Sequence, residues 1–370
     1  MESRFEVRPE DAVGESATFR EAARRSQALW DDLPRHPEKY RVLTGERPTG
    51  ALHIGHLFGT VANRVRIQNL GATTFIVIAD YQVLTDRDTA EAVGDNVREV
   101  ILDYLAAGLD PGTGHTFFFS HSHVPELNQL LLPFLSLVTT AELDRNPTVK
   151  EEIQAAGLRQ VNALMYTYPI HQAADILCCK GNVVPVGRDQ LPHLELTRKI
   201  ARRFNERFSP DAPVFPIPDA LLSDLPVVLG TDGQKMSKSR GNSILLKMTA
   251  DETAKVIKSA KTDADRHITY DPQGRPEVAN LLRLVATCSG ETPEAVAERI
   301  GDGGGGRLKA LLTDALNSHL APLRERRAQY AACGDYVLEV LRAGVARARE
   351  EATTTLQQVR RAMHMDHGLD

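Results

Sequence analysis

From Arg41 onward short apolar runs and helical patterns take turns, and this alternation restricts the fold more than any other feature of the chain. Arg41-Val42-Leu43 is a short strand, followed by a Gly/Pro-rich turn from Gly45 to Gly50. His56 to Leu70 has a helical pattern closed by Gly71. Thr74 to Ala79 (TFIVIA) is rich in β-branched residues and predicts a buried strand. Thr89 to Ala107 predicts a helix stopped at Gly108, while Thr116–Phe119 and Val183–Val186 predict further strands. Strands separated by helices argue for an α/β fold with a doubly wound parallel sheet.

The pattern divides the chain into three parts. Residues 1–38 form a charged N-terminal extension in which Phe19, Ala22, Ala23, Ser26, Leu29 and Trp30 can share one helical face. It reads as a capping or partly disordered arm. Residues 39–245 carry the alternating pattern. Over 246–370 the strands stop, and Asp251–Ser259, Val278–Cys288, Pro293–Ile300 and Leu308 onward predict an all-helical domain. Gly301 to Gly306 predicts a flexible loop within it.

Several classes are excluded. The longest mostly apolar run, Leu130 to Val138, is broken by Pro133 and Ser136 and is far shorter than the ~20 residues of a membrane span. No membrane association is expected. The first residues, Met1-Glu2-Ser3-Arg4, carry no apolar leader. Cys178, Cys179, Cys288 and Cys333 have no metal-ligand spacing, so no protein-bound metal cluster is expected, and a reduced, cytoplasmic location is the simplest reading. Forty-four basic residues against 49 acidic ones leave room for a local basic face but no polybasic character.

Two motifs carry chemistry. His53-Ile54-Gly55-His56 stands at a helix start, where free N–H groups and the positive dipole end attract phosphate. Lys235-Met236-Ser237-Lys238-Ser239 is framed by Gly233 and Gly241. A given five-residue string occurs in such a chain with a probability on the order of 10⁻⁴, so its presence after the first motif carries weight. A third stretch places Tyr168, Gln172 and Asp175 at i, i+4 and i+7, on one helix face among small and apolar neighbours. Val183–Val186 then ends at Gly187, a strand edge of the kind that binds ligands in doubly wound sheets.

Together the first two motifs resemble those of class I aminoacyl-tRNA synthetases. Ala173-Ala174-Asp175-Ile176, Val184 to Gln190 and Glu195-Leu196-Thr197-Arg198 are similar to segments of the tryptophanyl-tRNA synthetases, bacterial type. The resemblance runs from about residue 40 to the end and is weaker through the helical third. It implies a Rossmann-like catalytic domain and a helical tRNA/anticodon-recognition domain. It implies a ligase that activates L-tryptophan with ATP, Mg²⁺ accompanying the nucleotide, releases pyrophosphate and charges tRNA(Trp). His53, His56, Lys235 and Lys238 would be catalytic. ATP would meet Arg47, Pro48, Thr49, Gly55, Gly187, Arg188, Asp189 and Val227, together with the loop residues Met236, Ser237 and Ser239.

By the same resemblance Asp175 would accept the indole N–H, with Tyr168 and Gln190 holding the substrate ammonium. Leu43, Val184 and Val186 would supply shape. Gln82 stands where many bacterial members have histidine, Gln172 where many have methionine, and Arg47 where glutamine is frequent. These departures bear on pocket preference and not on reaction class. Tyr168-x₃-Gln172-x₂-Asp175 is also similar to the helix that tyrosyl-tRNA synthetases use, which keeps tyrosine as the alternative substrate. A different adenylate-forming enzyme and a synthetase-like regulatory binding protein are the further alternatives. The family acts as a homodimer. Candidate tRNA-binding arrays are Arg198, Lys199, Arg202 and Arg203, and a C-terminal set at Arg324, Arg326, Arg327, Arg342, Arg347, Arg349, Arg360 and Arg361.

Overall fold

The structure is a computed structural model and describes residues 17–85, 90–149, 161–222 and 228–369. β1 (Arg41–Glu46) is the centre of a five-stranded, all-parallel sheet. β2 (Thr73–Ile78) lies on one side of it, with β3 (Thr116–Ser120) beyond. β4 (Val183–Val186) lies on the other, with β5 (Asp219–Leu222) beyond. The order β3-β2-β1-β4-β5 reverses direction between β1 and β4, so a crevice opens past their C-terminal ends. β5 was not anticipated from the sequence. Its four residues, Asp-Ala-Leu-Leu, are too few to show a period.

Alternation along the strands sends side chains to two separate cores. Ile76, Ile78 and Phe118 pack with Val100, Ile101 and Leu105 of α4 (Val93–Ala107). Phe75, Val77 and Phe119 pack instead with Ile170, Ala174, Leu194 and Ile200. Those four belong to the helices Ala163–Cys178 and Leu191–Phe208.

The first helix after β1 is irregular. It starts as α2 (Ile54–His56), passes through a π-helical turn at Leu57–Val61 and continues as α3 (Ala62–Asn69). The sequence predicted one regular helix here, because a π turn leaves the apolar period nearly intact.

Both sheet edges are covered by helices from the chain ends. α1 (Ala17–Asp32) buries Ala22, Ala23 and Trp30, and the Leu222 N–H of β5 donates to Ser26 Oγ at 2.8 Å. Along β3 runs the last helix, Tyr336–Ala362, at such close range that a Cβ on Gly344 would stand 1.9 Å from the Phe118 carbonyl oxygen. An uncovered edge strand invites pairing with other chains, and both ends of the chain prevent that. Gly344→Ala forces the helix off the strand. We expect a loss of about 3 kcal/mol, a clash cost at the upper end of the overpacking range, read as a lowered urea midpoint at unchanged m-value. A midpoint within error of the wild type contradicts this account of the edge.

The glycine run departs from its sequence reading. Gly301–Gly303 forms a 3₁₀ turn and the 29-residue helix Gly304–Ala332 begins directly after it. Gly304 N–H donates to Arg266 O at 2.9 Å, and Leu308, Leu312, Leu316 and Leu320 are fully buried. Packing of that apolar stripe outweighs the poor helix propensity of glycine. The run Leu130–Val138 splits as well: Leu130 and Phe134 are core, while Leu132 is 76% exposed.

Candidate active site

A cavity of about 570 Å³ lies at the β1/β4 crossing point. Fifteen of the residues singled out in the sequence line it. Leu43, Arg47, Val184, Val186 and Gly187 come from the strand ends, and His53, Gly55 and His56 from the first helix. Gln82 comes from the turn after β2, while Tyr168, Gln172, Asp175 and Gln190 come from the helices flanking β4. Lys235 and Met236 close one side.

At the helix-start end, His53 N–H donates to His56 Nδ1 at 3.2 Å. With Nδ1 accepting, the ring proton sits on Nε2, which lies 3.8 Å from Glu46 Oε1. The two rings are 3.7 Å apart, and a Cβ on Gly55 would meet the His53 ring at 2.9 Å. Glycine is therefore the residue this packing permits. Burial pushes both imidazoles down to about 3, with the neighbouring His56 and Lys238 charges acting on His53, and Lys238 and Arg64 on His56. Both rings are neutral at pH 7 and offer N–H donors without charge. The Glu46 carboxyl is pushed up by burial, against the pull of Arg64 and Lys238.

These shifts fix a pH dependence. An unfolded histidine titrates near 6.5. Between about 6.5 and 3 the unfolded chain binds protons that folded His53 and His56 do not, so stability falls as the pH falls. By pH 5 the loss is on the order of 1–2 kcal/mol per ring. Burial lowers His171 and His319 too, in the same direction. The urea midpoint should drop between pH 7 and 5, and drop less in the double variant His53→Gln/His56→Gln. Equal slopes in the two proteins would remove the assignment.

The basic motif is a folded loop. Asn242 staples it: its Oδ1 accepts Ser237 N–H at 2.8 Å, and its Nδ2 donates to Asp232 Oδ1 at 2.7 Å and to Lys235 O at 3.2 Å. Met236 is buried, with Sδ 3.7 Å from the Cβ position of Gly55. Lys238 Nζ donates to the Gly50 carbonyl at 2.9 Å, which ties the loop to the turn before the first motif. Lys235 is exposed on the cavity wall.

At the opposite end the lining is amphipathic. Leu43, Val77, Val184 and Val186 supply an apolar floor from β1, β2 and β4. Tyr168 is held by a relay the sequence did not disclose: Asn146 Nδ2 donates to His193 Nδ1 at 3.1 Å, and His193 Nε2 lies 2.9 Å from Tyr168 Oη. Asn146 sits 22 positions before Tyr168 and His193 25 after it, so no local spacing signals the contact. Glu46 was missed for another reason: it ends a strand and looks like a turn residue.

Pro48, Thr49 and Arg188 are outside the described cavity lining. Pro48 and Thr49 occupy the turn after β1, where Thr49 N–H donates to Arg47 O at 2.8 Å. The Arg188 guanidinium lies over the Phe19 ring of α1 at 4.7 Å. Asp189 and Ser239 fall in the short 3₁₀ turns Arg188–Gln190 and Lys238–Arg240, the second of which starts just after Ser237. Val227 lies outside the described residues.

This geometry has close relatives. The family model of class I tRNA synthetases (W and Y) matches residues 36–321. The chain belongs to that family. It is 41% identical over 334 residues to the tryptophan–tRNA ligase of Treponema pallidum, covering 87% of this chain and 96% of the relative. It is 41% identical over 344 residues to that of Lactococcus lactis, covering 89% and 99%. Among solved structures, the Campylobacter jejuni tryptophanyl-tRNA synthetase complexed with ADP and tryptophan superposes with a TM-score of 0.74 at 28% identity, covering 88% of this chain and 99% of that one. ATP is a substrate of class I synthetases, and the family is one of ligases.

The candidate basic arrays are largely engaged within the fold. Arg198 is buried and donates to Pro218 O and to the Asp219 carboxylate. Arg203 makes a bidentate pair with Glu142, both contacts 2.8 Å. Arg327 bridges Asp103 and Glu99, while Arg326 donates to Ala106 O, so the pair pins Gly304–Ala332 to α4. Arg324, Arg347, Arg349 and Arg360 also have polar partners. Lys199, Arg202, Arg342 and Arg361 are exposed. Helical spacing alone does not tell a solvated arginine from one that holds two helices together. Among the described residues no helix is long and apolar enough to cross a membrane.

Proposed function

We propose that this chain is a tryptophan–tRNA ligase. The observation that carries the reading is the single cavity that joins a helix-start His53/His56 pair and Lys235 to the Tyr168/Gln172/Asp175 face. One end suits phosphate and the other suits a flat amphipathic amino acid. In the first step a carboxylate oxygen of tryptophan attacks the α-phosphorus of ATP, and the bond to the β,γ-pyrophosphate breaks. Negative charge builds on the phosphate oxygens, so catalysis is positioning and electrostatic stabilisation. His53 and His56 would donate neutral N–H bonds to the phosphates, and Lys235 and Lys238 would hold the departing pyrophosphate. Arg47, Gly55, Gly187 and the backbone of the 188–190 turn would frame the nucleotide. Mg²⁺ enters as part of the MgATP substrate. In the second step a terminal ribose hydroxyl of tRNA(Trp) attacks the activated carbonyl and AMP leaves.

Asp175 would accept the indole N–H, with Tyr168 and Gln190 at the ammonium and Leu43, Val184, Val186, Gln82 and Gln172 shaping the pocket. The 246–370 helices would read the anticodon, with exposed Arg342 and Arg361 available to phosphates. The working unit would be a homodimer, which would cover the exposed Leu132. A cytoplasmic location goes with this reading.

Amino-acid-dependent ATP–pyrophosphate exchange without tRNA, run across all twenty amino acids, tests the reading. Exchange with tryptophan alone is the expected result. Exchange with tyrosine would transfer the Tyr168/Gln172/Asp175 face to the other ring. No exchange would move the protein to a binding role or to a different adenylylation substrate.

A further inference from the structure

Behind the cavity, where the tryptophan side would lie, three side chains converge that no role above employs together. His121 is the first residue after β3, and His171 and Asp175 are one turn apart on Ala163–Cys178. All three are more than nine-tenths buried. Each offers one ligand-type atom, and these atoms lie within 4.8 Å of one another. Among the described residues no other group of three histidine, cysteine or acidic residues meets that criterion.

The contacts inside the group are incomplete in an informative way. His121 Nε2 is 2.9 Å from Asp175 Oδ1, an ion-pair distance without an aligned hydrogen bond. His121 Nδ1 and His171 Nδ1 are buried without partners. Beyond that pair, His171 Nε2 is engaged, 2.8 Å from Asn128 Oδ1. Buried polar atoms are almost always satisfied; here the two Nδ1 atoms meet nothing and the His121–Asp175 pair meets only itself, which leaves four atoms that one shared partner would satisfy. A common ion accommodates two donor atoms that stand side by side without aiming at each other. Asn128 then takes the place of the outer acceptor that fixes a ligating histidine's tautomer.

We propose that His121, His171 and Asp175 bind one divalent transition-metal ion of the zinc and cobalt class. Two imidazoles and one carboxylate match that class and not magnesium or calcium, which take oxygen sets. Water completes the coordination. Where the ligase reading holds, the ion fixes the Asp175 carboxylate from behind and leaves its second oxygen for the indole N–H.

The test is a Co²⁺ titration of the full-length, chelator-stripped protein, read by visible ligand-field absorption and checked by Zn²⁺ displacement. One Co²⁺ per chain is expected. His121→Gln and His171→Gln should each weaken it at least tenfold, and the surface change His267→Gln should not. Asn128→Ala, which removes only the outer hydrogen bond, should weaken it about tenfold and covers the case in which the histidine variants fail to fold. No saturable signal in the wild type overturns the proposal and leaves the four atoms to ordered water. So does an affinity that all three variants leave unchanged. No metal binding by the wild type alongside intact tryptophan-dependent exchange would sink this proposal alone. Metal binding without exchange would sink the ligase reading alone.

Discussion

Lys238→Ala should lower the rate of tryptophan-dependent ATP–pyrophosphate exchange by about 10²–10³-fold, the range for removing one donor to a developing oxyanion. Tryptophan affinity should stay within about twofold, because the lysine meets charge that appears only as the phosphate bond breaks. Lys235→Ala should behave alike in rate. The two differ in one respect. Lys238 ties its loop to Gly50 O, and its charge helps depress His53 and His56. Only the Lys238 variant should therefore raise the pKa of both rings, read by histidine ring NMR through an acid titration. Equal loss of tryptophan affinity in both variants would remove the lysines from the transition state.

Asp175→Ala should weaken tryptophan binding about 10²-fold, while ATP affinity is unchanged. A charge-assisted hydrogen bond is worth about 1.5–3 kcal/mol. A pocket built to accept an N–H also loses its discrimination when the acceptor goes, so phenylalanine should gain relative to tryptophan. Equilibrium dialysis with both amino acids measures this directly. An unchanged tryptophan dissociation constant would end the assignment of Asp175 as the indole anchor.

Some parts of this protein were readable along the chain, and the reason is local. β-Branched runs such as Thr74–Ala79, the stops at Gly71 and Gly108, and both motifs encode their meaning within a few residues. The i, i+4, i+7 face of Tyr168, Gln172 and Asp175 follows from helix geometry, and the structure turns all three into the cavity. The sheet class followed because alternating elements leave few topologies.

Other parts depend on residues far apart in sequence. β5 is too short to announce itself, and it forms because β4 and Ser26 of α1 satisfy its backbone. The Gly304 helix exists because a buried leucine stripe outweighs local propensity. Arg198, Arg203 and Arg327 looked like phosphate ligands and are ion-paired struts, since a side chain's partner lies on another element. His121 reaches His171 and Asp175 only when β3 folds beside their helix. The sequence alone determined the element types, the sheet class and the motif chemistry, because these rest on backbone period and residue identity. Which edges are covered, which charges are spent and which polar atoms meet behind the pocket were decided by tertiary structure, because contact energy depends on distance in space.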